Sequence, residues 1–140
     1  AAQILLASGR DVTIIDDSYN ANPDSMRAGI AALGQVGGDR RKIAVLGAML
    51  ELGDASVAEH GALIEPLMEA STGILVSVGN ETEPVARAAA DRGIDVYRVN
   101  DVDEGLDVLR GLLHSGDVVL LKGSHGSGIW RIADALKESD

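Results

Sequence analysis

The chain has 140 residues, of which 46% are hydrophobic and 24% charged, a composition typical of one soluble globular domain with a single core. Its formal net charge is −10, from 22 acidic and 12 basic residues, so a phosphate backbone would be repelled and no nucleic-acid partner is expected. The lack of cysteine excludes disulfides and zinc–thiolate sites and is compatible with the cytoplasm. No apolar run approaches the ~20 residues of a membrane-spanning helix, so no membrane partner is expected.

The first predicted elements are two strands, over 3–7 and 12–17, joined by a turn at 8–11. Asn22 is then predicted to cap a helix that begins at Pro23. An asparagine side chain accepts a free N–H group of the first turn, and a proline there lacks an N–H that would otherwise have no partner. The start of the chain therefore predicts a hairpin followed by a capped helix.

The rest of the chain alternates in the same way between β-branched runs and segments with helical spacing. Ser56 and Glu59 predict a capping box, and Pro66 predicts a kink or an early end of the helix that contains it. Asn80 predicts the cap of the next helix. Further strands are predicted at 42–47, 73–78, 95–99 and 117–121, each followed by a helix.

Because these strands are apolar on both faces and alternate with helices, they predict a doubly wound α/β domain. We expect a Rossmann-like three-layer sandwich around a mostly parallel sheet, with the initial hairpin adding one antiparallel edge strand. Ligands bind such sheets beyond the carboxyl ends of the strands, where the strand order reverses. The loops to search for function are therefore 17–23, 47–55, 79–80, 99–101 and 122–127.

The loop after the second strand, residues 16–25, holds more polar chemistry than a helix cap needs. Its carboxylates, Asp16 and Asp17, suit a ribose diol or a magnesium-bound water, and its amides suit an adenine edge or a peptide carbonyl. We interpret it as a functional loop, since function concentrates in exposed loops on a rigid scaffold. An exposed Asp17 is expected to contribute little to stability.

The loop 47–54 has glycines at both ends and an apolar middle. Met49, Leu50 and Leu52 either contact a ligand or a neighbouring domain, or fold back on the core. His60 follows one turn into the next helix, beside its apolar face. It is either a structural or a catalytic histidine.

The loop 122–128 exposes glycine N–H groups and Lys122 at the start of a helix. This is either an anion site, with the lysine as a point charge, or a flexible turn with a solvated lysine. The chain has only three lysines, at 42, 122 and 137, and one at the carboxyl end of a strand favours the anion site.

Several common catalytic patterns are absent from the sequence. It has no P-loop, no dinucleotide-binding glycine pattern, no nucleophile elbow and no metal-ligand spacing. We therefore predict no complete catalytic site and no metal site within the chain, although it can help to bind a nucleotide.

Three stretches resemble signatures of the UDP-N-acetylmuramoyl-tripeptide–D-alanyl-D-alanine ligases, a branch of the Mur ligase family. The first is 17–26, with the sequence DSYNANPDSM. The second is 45–53, VLGAMLELG, with His60 seven residues further on, and the third is 121–126, LKGSHG. They lie in the family's order and spacing and extend over the chain from end to end.

The resemblance implies that residues 1–140 are a single C-terminal domain of a three-domain enzyme of the bacterial cytoplasm. Its partners are then the N-terminal and central domains of that enzyme, and ATP and Mg²⁺ are bound mainly by the central, P-loop domain. The implied reaction joins D-alanyl-D-alanine to UDP-N-acetylmuramoyl-tripeptide in peptidoglycan precursor synthesis, through an acyl phosphate. The chain by itself is expected to be inactive as a ligase.

The resemblance also implies roles for individual residues, and Asp17 matches the position that faces the ATP ribose. The expected ATP-binding residues are Asp17, Tyr19, Asn20 and Asn22, and the expected substrate-binding residues are Glu51, Lys122, Ser124 and His125. Two positions depart from the family pattern. Ala48 stands where aspartate is frequent, and His125 stands where arginine is common, which removes a permanent bidentate charge.

Two other classes of protein remain as alternatives. A receiver-type signalling domain has a similar length, an acidic pair after its first strand and a lysine after its last, as Asp16, Asp17 and Lys122 provide. It also needs a phosphoacceptor aspartate at the end of a central strand, and neither 46–47 nor 78–79 supplies one. A stand-alone binding module that reuses the fold is the second alternative.

Overall fold

The computed structural model describes residues 3–7 and 11–138, over which strands and helices alternate. The strands are β1 (Gln3–Ala7), β2 (Val12–Asp17), β3 (Lys42–Leu46), β4 (Ile74–Val78), β5 (Asp95–Val99) and β6 (Val118–Lys122). The helices are α1 (Pro23–Gly37), α2 (Ser56–Gly61), α3 (Ile64–Glu69), α4 (Glu83–Asp91), α5 (Val102–Leu112) and α6 (Ile129–Glu138). Short 3₁₀ turns at Gly53–Ala55, Asn80–Thr82 and His125–Ser127 lie before α2, α4 and α6.

The strands form one sheet in the order β1-β2-β6-β3-β4-β5. The strands from β2 to β5 in this order are parallel, and β1 runs antiparallel beside β2 with Gln3 opposite Asp16. The predicted doubly wound α/β fold is confirmed. Of the turn predicted at 8–11, residues 8–10 lie outside the described residues.

Helices cover both faces of the sheet, because its central strands are apolar on both sides. On one face α5 and α6 pack together against Val119 and Leu121 of β6. On the other face Met26 of α1 and Leu67 of α3 lie in one cluster with Leu120. Within the described ranges, no helix is both long and apolar enough to cross a lipid bilayer.

Helix α1 begins as predicted. Asn22 Oδ1 accepts the N–H of Ser25 at 2.8 Å, and Ser25 Oγ accepts the N–H of Asn22 at 3.0 Å. Pro23 occupies the first helical position. A side-chain cap of this kind contributes about 1 kcal/mol, and here it also fixes the direction in which the chain leaves β2.

Two other predicted caps are wrong. Ser56 is the first residue of α2 rather than its cap, because the 3₁₀ turn before it already has helical backbone angles, and no side chain caps α2. Asn80 lies in the 3₁₀ turn before α4. In that turn the Thr82 hydroxyl donates to the Gly79 carbonyl at 2.9 Å. In both cases a local turn supplies the helix start that a polar side chain was predicted to supply.

Pro66 interrupts its helix as predicted. The segment is divided into α2 and α3, and Pro66 lies in the first turn of α3, where a missing N–H costs little. Strand β5 has the predicted bounds. The strands predicted at 42–47 and 73–78 are each one residue shorter at one end, and the strand predicted at 117–121 is shifted by one residue at both ends.

Candidate functional site

Three loops meet at the carboxyl edge of the sheet, because β2, β6 and β3 are neighbours there. The Gly47 N–H donates to the Lys122 carbonyl at 2.9 Å, and the Ser124 N–H donates to the Ala48 carbonyl at 3.0 Å. The helices α1 and α6, which follow β2 and β6, pack on opposite faces of the sheet. This divergence opens a crevice where ligands are expected in sheets of this class.

Two glycines allow the loops to approach each other. A Cβ atom at Gly47 would lie 2.6 Å from Ile129 Cγ1, and a Cβ atom at Gly123 would lie 2.5 Å from Ser127 Oγ. A side chain at either position would push the His125–Ser127 turn away from the sheet. The two glycines therefore seat that turn directly on the ends of β3 and β6.

Asp17 and Lys122 form a buried ion pair at the ends of β2 and β6. Lys122 Nζ lies 2.9 Å from Asp17 Oδ2 and donates to the Asn20 carbonyl at 2.6 Å. The Lys122 side chain is 1% exposed and that of Asp17 is 21% exposed. The alternative in which Lys122 is solvated is therefore wrong. Asp17 is also less exposed than expected, so its contribution to stability becomes a prediction in the opposite direction. The parallel register pairs these two residues directly.

Asp16 has a structural partner. Its side chain is buried, accepts a hydrogen bond from the Ser18 hydroxyl, and lies 3.0 Å from Lys137 Nζ of α6. The hydrogen bond to Asp16 raises the pKa of Lys137 above its ordinary value. Asp16 thus ties α6 to β2, whereas Asp17 stays partly exposed at the end of β2.

Three aromatic rings stack across the crevice. The ring centroids of Tyr19 and His125 are 6.0 Å apart, and those of His125 and Trp130 are 5.4 Å apart at an interplanar angle of 8°. Trp130 Nε1 donates to the His125 carbonyl at 3.1 Å. The stack joins the loop after β2 to the loop after β6. Trp130 was not among the predicted site residues, and nothing in its sequence surroundings indicates a stacking partner five residues earlier.

Asn22 and Ser124, both predicted to contact ligands, also shape the backbone. Asn22 Oδ1 is occupied by the α1 cap, and Ser124 Oγ accepts the Ser127 N–H at 3.1 Å. Asn20 and Glu51 are exposed, so their side chains are accessible to a ligand. The ligand roles of all four residues stay predictions.

The loop after β3 combines both of its predicted alternatives. Met49 is buried, whereas Leu50 is 45% exposed. His60 is fully buried, and its Nε2 accepts the Met49 N–H at 3.0 Å. Its Nδ1 donates to the Ser56 carbonyl at 2.7 Å, which assigns the proton of a neutral imidazole to Nδ1. The structure therefore favours a structural rather than a catalytic histidine.

A groove of about 570 Å³ opens beside the stack, between the loops after β3, β4, β5 and β6. Leu50 and Trp130 supply apolar walls. Its polar lining includes Glu81, Asn100, Asp101, His125 and Arg131. Both signs of charge are present, so the groove suits a small zwitterion. Among the described residues no group of three or more His, Cys, Asp or Glu side chains is placed to hold a metal ion.

Comparison with known proteins gives consistent matches. The family model described as "Mur ligase, glutamate ligase domain" matches residues 3–125. The chain is 42% identical to the UDP-N-acetylmuramoyl-tripeptide–D-alanyl-D-alanine ligase of Mycobacterium tuberculosis over 94% of its length and 30% of that enzyme. It is similar to a crystal structure of MurF from Acinetobacter baumannii (TM-score 0.82, 29% identity) and to MurF from Thermotoga maritima in complex with ADP (TM-score 0.78, 28% identity). Each structural match covers 97% of the chain and 30% of the other protein.

Proposed function

The chain belongs to the Mur ligase family, and from that premise we propose that it is the C-terminal domain of an ATP-dependent ligase of peptidoglycan precursor synthesis. It spans about 30% of the length of the relatives it matches, so its partners are the N-terminal and central domains of the same enzyme. The reaction is the addition of D-alanyl-D-alanine to UDP-N-acetylmuramoyl-tripeptide in the bacterial cytoplasm. The observation that carries this proposal is that two different features, the Asp17–Lys122 pair and the groove with both signs of charge, lie at the carboxyl ends of the same strands. We call them the two half-sites.

The first half-site takes the nucleotide. Lys122 holds Asp17 through Oδ2, and within 11–137, where the structure describes the side chains, no other hydrogen bond or ion pair to the Asp17 side chain occurs. The second carboxylate oxygen is thus available to accept a hydrogen bond from a ribose hydroxyl. Asn20 and Tyr19 are exposed on the same loop and can contact the nucleotide there.

The second half-site takes the dipeptide. The groove volume lies in the range of small-molecule sites. Arg131 and His125 can bind the dipeptide carboxylate, and Glu81 and Asp101 can bind its ammonium group before reaction. The ion pair that Arg131 makes with Asp103 is 3.4 Å long and exposed, so exchanging it for a ligand costs little.

The chain's contribution to the reaction is positioning. A tripeptide carboxylate oxygen attacks the γ-phosphorus of ATP and ADP leaves; the dipeptide amine then attacks the acyl carbon and phosphate leaves. Magnesium bound with ATP would neutralise charge on the transferring phosphoryl group, and the family resemblance assigns its binding mainly to the central domain. The groove would hold the amine close to the acyl carbon, the kind of orientation that lowers a barrier by several kcal/mol.

Phosphate release by the ligase that carries this chain tests the proposal. We expect release only when ATP, UDP-N-acetylmuramoyl-tripeptide and D-alanyl-D-alanine are all present. Glycine and D-glutamate serve as matched controls, because each offers an amine and a carboxylate without the dipeptide. Equal release with either control would overturn the assigned amino substrate, and no release with any of them would overturn the ligase function.

Amide chemical shifts of the 140-residue chain test the two half-sites separately. ATP·Mg²⁺ is expected to shift residues 17–22, and D-alanyl-D-alanine is expected to shift 48–51 and 125–131, both only near millimolar ligand because each half-site lacks its opposite wall. The amide signals around His114, at the amino ends of the parallel strands, serve as the internal control and should not shift. Submicromolar ATP binding by this chain would contradict the half-site argument.

A further inference from the structure

We propose that His60 is a positioning residue, which holds the loop 47–53 in the conformation that forms one wall of the dipeptide groove. The proposal rests on the function proposed above, since it assigns the groove to the amino substrate. It gives a buried histidine outside the groove a measurable effect on the affinity for one substrate.

The hydrogen bonds of His60 join α2 to the loop. Nδ1 donates to the Ser56 carbonyl at 2.7 Å, which fixes the tautomer, so Nε2 is left as an acceptor for the Met49 N–H at 3.0 Å. His60 is fully buried, and Met49 is 1% exposed. Water therefore cannot replace the acceptor, and a lost bond leaves the Met49 N–H without a partner in the core.

The loop needs such a restraint because its own backbone does not favour the observed shape. Glu51 has a φ angle of 63°, in the left-handed region that costs a non-glycine residue free energy. Contacts made from outside the loop offset this cost, and the hydrogen bond that the Met49 N–H donates to His60 Nε2 is one of them.

Both neighbours of Met49 form the groove wall. Ala48 accepts the Ser124 N–H at 3.0 Å, and Leu50 packs on Gly126, where an added Cβ would lie 2.8 Å from Leu50 Cδ1. Ala48, Leu50 and Gly126 all line the groove. A displacement of Met49 would therefore move its two neighbours, Ala48 and Leu50, which both line the groove.

Two amide variants separate the two hydrogen bonds. In His60→Gln the terminal amide oxygen reaches the position of Nε2 and can still accept from Met49. In His60→Asn the amide reaches only the position of Nδ1, so it can donate to Ser56 but cannot accept from Met49. Each variant loses one buried bond, and we expect similar falls in melting temperature.

The two variants should differ in the kinetics of the ligase that carries this chain. We expect His60→Asn to raise the KM for D-alanyl-D-alanine about five- to tenfold, the range expected for one net hydrogen bond, with little change in the KM for ATP. His60→Gln should stay within about twofold of the parent enzyme. Hydrogen exchange of the Met49 amide in the 140-residue chain should be faster in His60→Asn than in His60→Gln, because only His60→Asn removes its acceptor on top of the shared loss of stability. That readout does not depend on the ligase function.

Equal KM values for the dipeptide in the two variants would overturn the proposal and leave His60 with a purely structural role. If neither variant folds, Leu50→Ala decides, because it changes an exposed groove wall: an unchanged dipeptide KM would overturn the proposal, and a selective increase would support it. Failure of the proposed function has a different signature, since the parent enzyme would then release phosphate without dependence on the dipeptide.

Discussion

Two ion pairs lie at opposite ends of the parallel strands, Arg41–Asp117 at the amino ends and Lys122–Asp17 at the carboxyl ends, and they differ in how the carboxylate oxygens are bonded. At the amino edge, both oxygens of Asp117 are occupied: Arg41 donates to them at 2.9 and 2.7 Å, and the His114 N–H donates to Oδ2 at 2.8 Å. At the carboxyl edge, Lys122 holds Asp17 through one oxygen at 2.9 Å. Asp117 is 3% exposed and Asp17 is 21% exposed. Both oxygens of Asp117 are therefore bonded, whereas Asp17 is bonded through one oxygen within 11–137 and is partly exposed.

The difference shows that a partly buried, paired carboxylate can still keep an acceptor oxygen. Within 11–137 only one oxygen of Asp17 is bonded, and Asp17 lies at the carboxyl ends of the strands, where ligands bind such sheets, which is why we propose Asp17 rather than Asp117 as a ligand contact. Its partner Lys122 differs from Asp17 in exposure, since the lysine side chain is almost fully buried and cannot turn to solvent. A pair of this kind holds the Asp17 carboxylate in place, and removing the carboxylate should destabilise the fold.

The largest effect is expected for Asp17→Ala. It leaves the Lys122 ammonium buried without a counter-charge and should lower the free energy of unfolding by about 3–5 kcal/mol, measured by urea denaturation of the 140-residue chain. Lys122→Met should cost less, because Asp17 is partly exposed and can be hydrated. The double variant should be more stable than Asp17→Ala alone. A double variant less stable than Asp17→Ala would show that neutralising Lys122 is not the main contribution of Asp17 to stability.

A smaller loss is expected at the Arg41–Asp117 pair. Asp117→Ala removes the acceptor for Arg41 and for the His114 N–H, but the Arg41 side chain is 35% exposed and can be rehydrated. We expect about 2–3 kcal/mol in the same urea experiment, with no change in the amide shifts that ATP·Mg²⁺ produces at residues 17–22. An altered nucleotide response would contradict the separation of the two edges.

The smallest effect is expected at an exposed pair that serves as the baseline. The hydrogen bond from Arg98 lowers the pKa of Glu83, and the two side chains are 47% and 41% exposed. A lowered pKa stabilises the fold above the ordinary value of 4.5, and this contribution is lost as the pH falls through the lowered value. Arg98→Ala should therefore cost less than about 1 kcal/mol near neutral pH, and the cost should decrease as the pH falls through the lowered pKa of Glu83. About 0.5 M salt should reduce the neutral-pH difference, whereas a salt-independent difference would indicate a packing contribution.

The fold could be predicted largely because its signals are local. Alternating apolar runs give the element order, and Asn22 with Pro23 gives the start of α1 from adjacent residues. The failures arose where a backbone turn replaced a side-chain cap. Ser56 has the sequence of a cap, but the 3₁₀ turn before it has already begun the helix, and its carbonyl instead accepts from His60.

The site was only partly predictable because its contacts are remote in sequence. The residue types at Asp17 and Lys122 indicate function, but only the strand register reveals that they are direct neighbours across more than a hundred residues. Trp130 is similar, since the turn His125–Ser127 folds the chain back before α6 begins and places its ring on His125. Local spacing contains no trace of either contact.

The placement of β6 has a consequence for how the chain acquires its structure. β6 lies between β2 and β3, although it is made after β5. In the finished sheet β2 and β3 are two strand spacings apart, about 10 Å, so neither can complete its pairing there before residues 118–122 are present. Pairing of β6 is thus a non-local step, which we expect to slow folding and to leave aggregation-prone strand edges on a chain truncated before β6.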